Sequence, residues 1–75
     1  MQEIFNGLVE SGTGVYAITI WKTGDRFQVY DSTCECYSLT DTNAQEFEDE
    51  YGLKLYRTME DFKRGNSIDI HRVMV

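Results

Sequence analysis

The stretch VYAITIWKTGDRFQVY, residues 15–30, decides the fold. Val15, Ile18, Thr19, Ile20 and Trp21 are β-branched or aromatic, so Val15 to Lys22 is predicted as a strand. Thr23-Gly24-Asp25 turns the chain, and Arg26 to Tyr30 is predicted as a second strand. In that strand Phe27 and Val29 share one face while Gln28 and Tyr30 share the other.

Working outward, Asp31-Ser32-Thr33 forms a turn or bulge before a third predicted strand, Cys34 to Leu39. Asp41 to Tyr51 then reads as a helix. Thr42-Asn43-Ala44-Gln45 has the form of a capping box, and Ala44, Phe47 and Tyr51 make one apolar stripe. Gly52 sits where a left-handed cap belongs. Leu53 to Arg57 alternates as a short strand with Leu53 and Leu55 inward. Thr58 opens a second helix, Met59 to Arg64, with Met59 and Phe62 on its buried side and Gly65 as its stop. Ser67 to Val75 reads as a final strand, with Ile68, Ile70 and Met74 on one side.

The first ten residues fit two readings. Ile4, Phe5, Leu8 and Val9 recur at helical spacing, whereas Asn6-Gly7 suits a tight hairpin; the helix is the preferred expectation. The sum is an α+β fold: a small antiparallel or mixed sheet of four to five strands, with two short helices packed on one face. All of it is expected to form a single small acidic domain spanning residues 1–75. Trp21 is expected to be buried, which would make its truncation cost about 3–5 kcal/mol.

Hydrophobic residues make up 41% of the chain and aromatic ones 13%, too much for a disordered polymer of this charge. Thirteen acids against seven bases leave a net charge of −6. Direct binding to nucleic acid needs clustered Lys and Arg and is disfavoured; so is attachment to an anionic membrane. No apolar run is long enough to span a bilayer, and no basic region opens the chain as in a secretory signal. A cytoplasmic protein is expected.

The charge is unevenly spread. Residues 27–53 hold seven acids and no base, whereas residues 54–75 carry a surplus of two positive charges. Glu46, Asp49 and Glu50 fall at i, i+3 and i+4 on the predicted helix, and like charges at such spacing cost about 0.2–0.5 kcal/mol per pair. Acids in the last turn also oppose the helix dipole. Asp41, Glu46, Glu48, Asp49 and Glu50 are therefore the candidate surface for a basic partner, and neutralising Glu46, Asp49 and Glu50 is expected to leave the fold intact. Tyr30 and Tyr37 join them as aromatic candidates, because Tyr, like the nearby Tyr16 and Trp21, buries a large area while keeping a polar tip.

Other constellations point away from chemistry. Cys34-Glu35-Cys36 lacks the spacing of a redox pair. With His71 as the only histidine, a zinc site would need Cys34, Cys36, His71 and a carboxylate together, so packed thiols are expected and no metal or cofactor. Replacing both cysteines by Ser should change little. His71 and Asp69 lack a nucleophile for a triad. Gly12-Thr13-Gly14 precedes a strand and cannot use a helix N-terminus to hold phosphate.

The expected function is binding without catalysis: a protein-binding inhibitor or adaptor that presents an acidic helix and aromatic surface to a basic partner. In size, charge and lack of catalytic equipment the chain resembles the small acidic antagonists that bacteriophages direct against host nucleases and defence complexes. That resemblance implies a partner such as a nucleic-acid-binding nuclease complex. The rival expectations are a self-associating domain, a homodimer through its aromatic sheet face, and a minor Cys-based metal or redox protein.

Overall fold

Residues 15–30 form the expected hairpin, β2 (Gly14–Thr23) and β3 (Arg26–Asp31), at the centre of a larger sheet. The computed structural model describes residues 1–12, 14–33 and 38–75. Around the hairpin lie β1 (Gln2–Ser11), β4 (Ser38–Thr42), β5 (Lys54–Tyr56) and β6 (Ile68–Asp69). The strands form one sheet in the order β4-β3-β2-β1-β5-β6, every pairing antiparallel. Three short helices complete the chain: α1 (Ala44–Glu50), α2 (Met59–Arg64) and α3 (Ile70–Val73). The expected α+β class is observed, but with six strands in place of four to five and three helices in place of two.

Both extra elements arise where the expectation chose the wrong period. Residues 2–11 form a strand, not a helix, and Gly7 lies inside it and not in a turn. The strand pairs along one edge with β2 from Gln2–Lys22 to Ser11–Gly14 and along the other with β5. A bulge between Glu3 and Phe5 shifts its register. Gly7 is required there by crowding: a Cβ would collide with the Tyr56 carbonyl and lie 2.8 Å from the Phe5 ring. At the other end, the predicted strand Ser67 to Val75 stops after two residues and turns into α3, whose N-cap Asp69 accepts a hydrogen bond from the His71 backbone N–H.

Register sorts the side chains into two faces. Phe5, Val9, Ile18, Ile20, Phe27, Val29 and Leu55 point to one side and are buried beneath Phe47 and Tyr51 of the α1 segment and Ile70 and Met74 of the α3 segment. The rings of Phe47 and Tyr51 stack at 5.0 Å, and Tyr51 meets Tyr16 edge-on. Asp31 faces this side too. Its carboxylate is buried, where it accepts hydrogen bonds from the Thr33 N–H and the Tyr51 hydroxyl.

α2 does not join the other helices. Leu55 pairs with Val9 on the core side, so the adjacent Tyr56 projects to the opposite face, beside Leu8. There it meets Phe62 of α2 edge-on at 5.2 Å and donates a hydrogen bond to Glu10 at 3.0 Å. The expectation of both helices on one face therefore fails at β5, which buries a side chain in each direction. Met59 and Leu53, expected inward, are exposed. Met59 is the first residue after the Thr58 cap, and Leu53 precedes the strand.

Trp21 pairs with Glu3 and Gln28 on the face away from the core and is only half-buried. Phe47, on the apolar stripe of the helix, is fully buried and takes the role expected of Trp21. Phe47→Ala should lower the unfolding free energy by about 3–5 kcal/mol, close to the whole stability of a chain this size. Trp21→Ala should cost clearly less; urea titrations of the two variants give the comparison.

Burial, followed by the hydrogen bond to Glu10, raises the Tyr56 hydroxyl above its ordinary value. The neutral phenol is thus favoured by the fold. Its contribution is complete below the unfolded pKa and is lost as pH rises through the higher folded one. Stability should fall more steeply above about pH 10 in the wild type than in Tyr56→Phe, measured by urea unfolding across an alkaline series.

Candidate functional site

The acidic residues singled out in the sequence do gather on one region, built by the end of β4 and by α1. Asn43 caps the helix. Its side chain accepts a hydrogen bond from the Glu46 N–H at 2.9 Å, and its amide donates to Glu46 Oε1 at 3.1 Å. The capping box is therefore Asn43-Ala44-Gln45-Glu46, one residue later than Thr42 to Gln45, because Thr42 is drawn into β4 opposite Phe27. The helix is correspondingly shorter than Asp41 to Tyr51.

Asp41 lies in β4 and adopts a left-handed backbone with φ of 56°. Asp tolerates this region better than most residues, and Arg26 of β3 braces it. The guanidinium donates to Asp41 Oδ1 at 2.9 Å and to the Asp41 carbonyl, and it reaches Glu46 Oε1 at 3.5 Å. The Asp41 hydrogen bond chiefly raises the Arg26 pKa, desolvation opposes it, and the charges of Asp41 and Glu46 add to the rise. Arg26 thus remains a fixed positive charge between two of the five candidate acids.

The remaining three differ from one another. Glu48 is half-buried and meets His71 of α3, Oε1 to Nε2 at 2.7 Å, which ties the two helices together. Asp49 is exposed and accepts from the neutral Gln45 amide at 3.1 Å. Glu50 is exposed at the end of the helix, whose last turn holds no base. Glu46 is thus a structural residue as well as a charged one, contrary to the expectation that it could be neutralised freely. Its partners are Arg26, Asn43 and Thr42, and the sequence shows no spacing that pairs Arg26 with residues fifteen and twenty positions away.

Of the aromatic residues, neither Tyr30 nor Tyr16 joins the acidic helix. Tyr30 projects from β3 on the face opposite the core, 38% exposed, and Tyr16 turns inward against Tyr51. Tyr37, Glu35 and the pair Cys34 and Cys36 lie outside the described residues, as does most of the predicted strand Cys34 to Leu39. The imidazole of His71 addresses Glu48 and not Asp69, whose carboxylate accepts from the His71 main chain. Among the described residues no three His, Cys, Asp or Glu side chains gather as a metal site would require. No helix of the described chain is long and apolar enough to cross a membrane.

Asn43→Ala removes both sides of the reciprocal cap and should lower stability by about 1 kcal/mol, readable in the urea midpoint. If the midpoint does not move, the cap bonds do not hold α1.

Comparison with known proteins yields no match: no protein-family model fits the chain, and neither a curated protein nor a solved structure is similar to it.

Proposed function

We propose that this chain is a protein-binding inhibitor or adaptor whose acidic α1 region docks on a basic protein surface. The observation that carries the reading is the density of carboxylates on α1, four among its seven residues, with no base in the last turn. Asp41 extends the same region from β4. Acids at a helix C-terminus oppose its dipole by roughly 0.3–1 kcal/mol each at low salt. A helix kept for stability alone would place Lys or Arg there, as α2 does with Lys63 and Arg64.

Arg26 and His71 hold Asp41, Glu46 and Glu48 in fixed positions. Preorganised charge of this kind loses less side-chain entropy when a cationic partner arrives. A nuclease face evolved to hold phosphates carries such cations, and an acidic protein surface competes for them. The same sign of charge keeps the chain itself off nucleic acid. The reading is one of occlusion without catalysis, in the cytoplasm where such a partner works.

The test pairs Asp49→Asn with Glu50→Gln, sparing Glu46 and its cap. This double variant leaves the Arg26 and His71 pairs in place, and its urea midpoint is measured beside its binding. Tagged wild type should capture a basic protein from bacterial lysate at low salt and release it near 0.5 M, where the screening length is only about 4 Å. The double variant should retain markedly less of it, through a lower association rate. Equal capture by both proteins, insensitive to salt, would exclude the acidic helix as the contact.

A further inference from the structure

We propose that the face of the sheet turned away from α1 is a self-association surface, on which a second copy of this chain packs about a two-fold axis. The inference is independent of the acidic reading and concerns the opposite side of the molecule. Register places Leu8 beside Ala17, Thr19 beside Tyr30, and Trp21 beside Gln28, all on this side. Leu8, Ala17, Thr19, Trp21 and Gln28 are half-exposed and Tyr30 is exposed. α2 reaches this face only at its margin, through Phe62 on Tyr56.

Charge selects the occupant. On a chain of net charge −6, the middle of this face carries no ionised side chain. At its edges Glu10 accepts from Tyr56, Arg26 is bound to Asp41 and Glu46, and the exposed Glu3 stands opposite Trp21. In the middle of the face, among Leu8, Ala17, Thr19, Gln28 and Tyr30, a basic partner finds no carboxylate to pair with. A second copy offers an equally neutral, equally aromatic surface, and an isologous contact makes one patch complementary to itself.

Repulsion between the two acidic helices is small in this arrangement. Sheets packed face to face lie about 10 Å apart. Each α1 is on the far side of its own sheet, so the acidic helices end on the order of 30 Å apart, several times the ~8 Å screening length at physiological salt. Any docking through the α1 side would instead bring the two sets of carboxylates together.

Area sets the strength. Strands of ten, ten and six residues, at about 3.3 Å per residue and 4.8 Å per strand, present a few hundred Å² of sheet. With the flanking side chains this approaches the low end of specific interfaces, below roughly 800 Å² per partner. The dimer is therefore weak and concentration-dependent.

The experiment is sedimentation velocity over a concentration series on the wild type, Thr19→Glu, Trp21→Glu and the Asp49→Asn/Glu50→Gln pair, with circular dichroism as the folding control. Trp21 is the only tryptophan, so its emission reports on this face alone. The wild type should dimerise with a blue shift of that emission. Thr19→Glu, which puts a charge at the centre of the contact, should weaken dimerisation by roughly tenfold or more while remaining folded. The Asp49/Glu50 variant should dimerise as the wild type does, which separates this inference from the acidic reading. A wild type that stays monomeric throughout overturns the proposal. So does a dimer whose tryptophan emission is unmoved by dilution, or one that both glutamate variants still form.

Discussion

The register of β1 against β2 is the constraint on which the rest of the molecule depends. Nine pairs from Gln2–Lys22 to Ser11–Gly14 set the direction of every side chain in the two longest strands. A slip by one residue would turn Ile18 and Ile20 to solvent and Trp21 to the core. The bulge after Glu3 resets the phase once, so that Phe5 lands opposite Ile20 and joins the buried set. β5 can then attach on the free edge of β1 because Gly7 leaves room for the Tyr56 carbonyl. Only after this sheet exists do Phe47, Tyr51, Ile70 and Met74 have a surface to cover.

What was legible in the sequence divides along a physical line. The hairpin at residues 15–30 was readable because β-branched and aromatic residues crowd Val15 to Trp21, Thr23-Gly24-Asp25 turns the chain, and Phe27 and Val29 alternate after it. α2 was readable from end to end, since Thr58 and Gly65 are a cap and a stop with local mechanisms. The two chain ends were misread in opposite senses for one reason. A separation of four residues suits both periods, being nearly one helical turn and also an even number of strand steps. Phe5 and Val9 share a face in either state, and so do Ile70 and Met74. Partners elsewhere in the chain decide: two strand edges claim residues 2–11, whereas Asp69 caps the backbone at residue 71 and starts α3.

The candidate site shows the same division between local and distant information. That acids concentrate on α1 is visible in composition. Which of them carry structural duties is not, because the cation that engages Asp41 and Glu46 comes from β3, and the imidazole that engages Glu48 comes from α3. Tyr30 and Tyr16, alike in type and both on strands, lie on opposite faces because their positions differ in parity relative to the core residues of β3 and β2. Parity could be read for Tyr30 from Phe27 and Val29. For Tyr16 it followed only once Ile18 and Ile20 were known to be the buried pair.

A sheet this broad in so short a chain has a consequence for both faces. The helical segments are short, and α1 and α3 are both spent on one side, where they close the core. α2 covers only the β5 margin of the other. Burying the second face within the same chain would need another amphipathic element, whose backbone ordering would cost about 1–2 kcal/mol per residue. The side chains on that face are mixed: Thr19 and Gln28 are polar, while Trp21, Tyr30 and Leu8 leave part of their apolar surface open. Four carboxylates crowd α1 on the helical side, where His71 engages Glu48 and Arg26 reaches Glu46, whereas Glu3 and Glu10 stand at the rim of the other face. The two proposed contacts therefore differ in their physics: one on the α1 side would rest on long-range attraction that salt weakens, and one on the sheet side on contact burial that salt leaves almost unchanged.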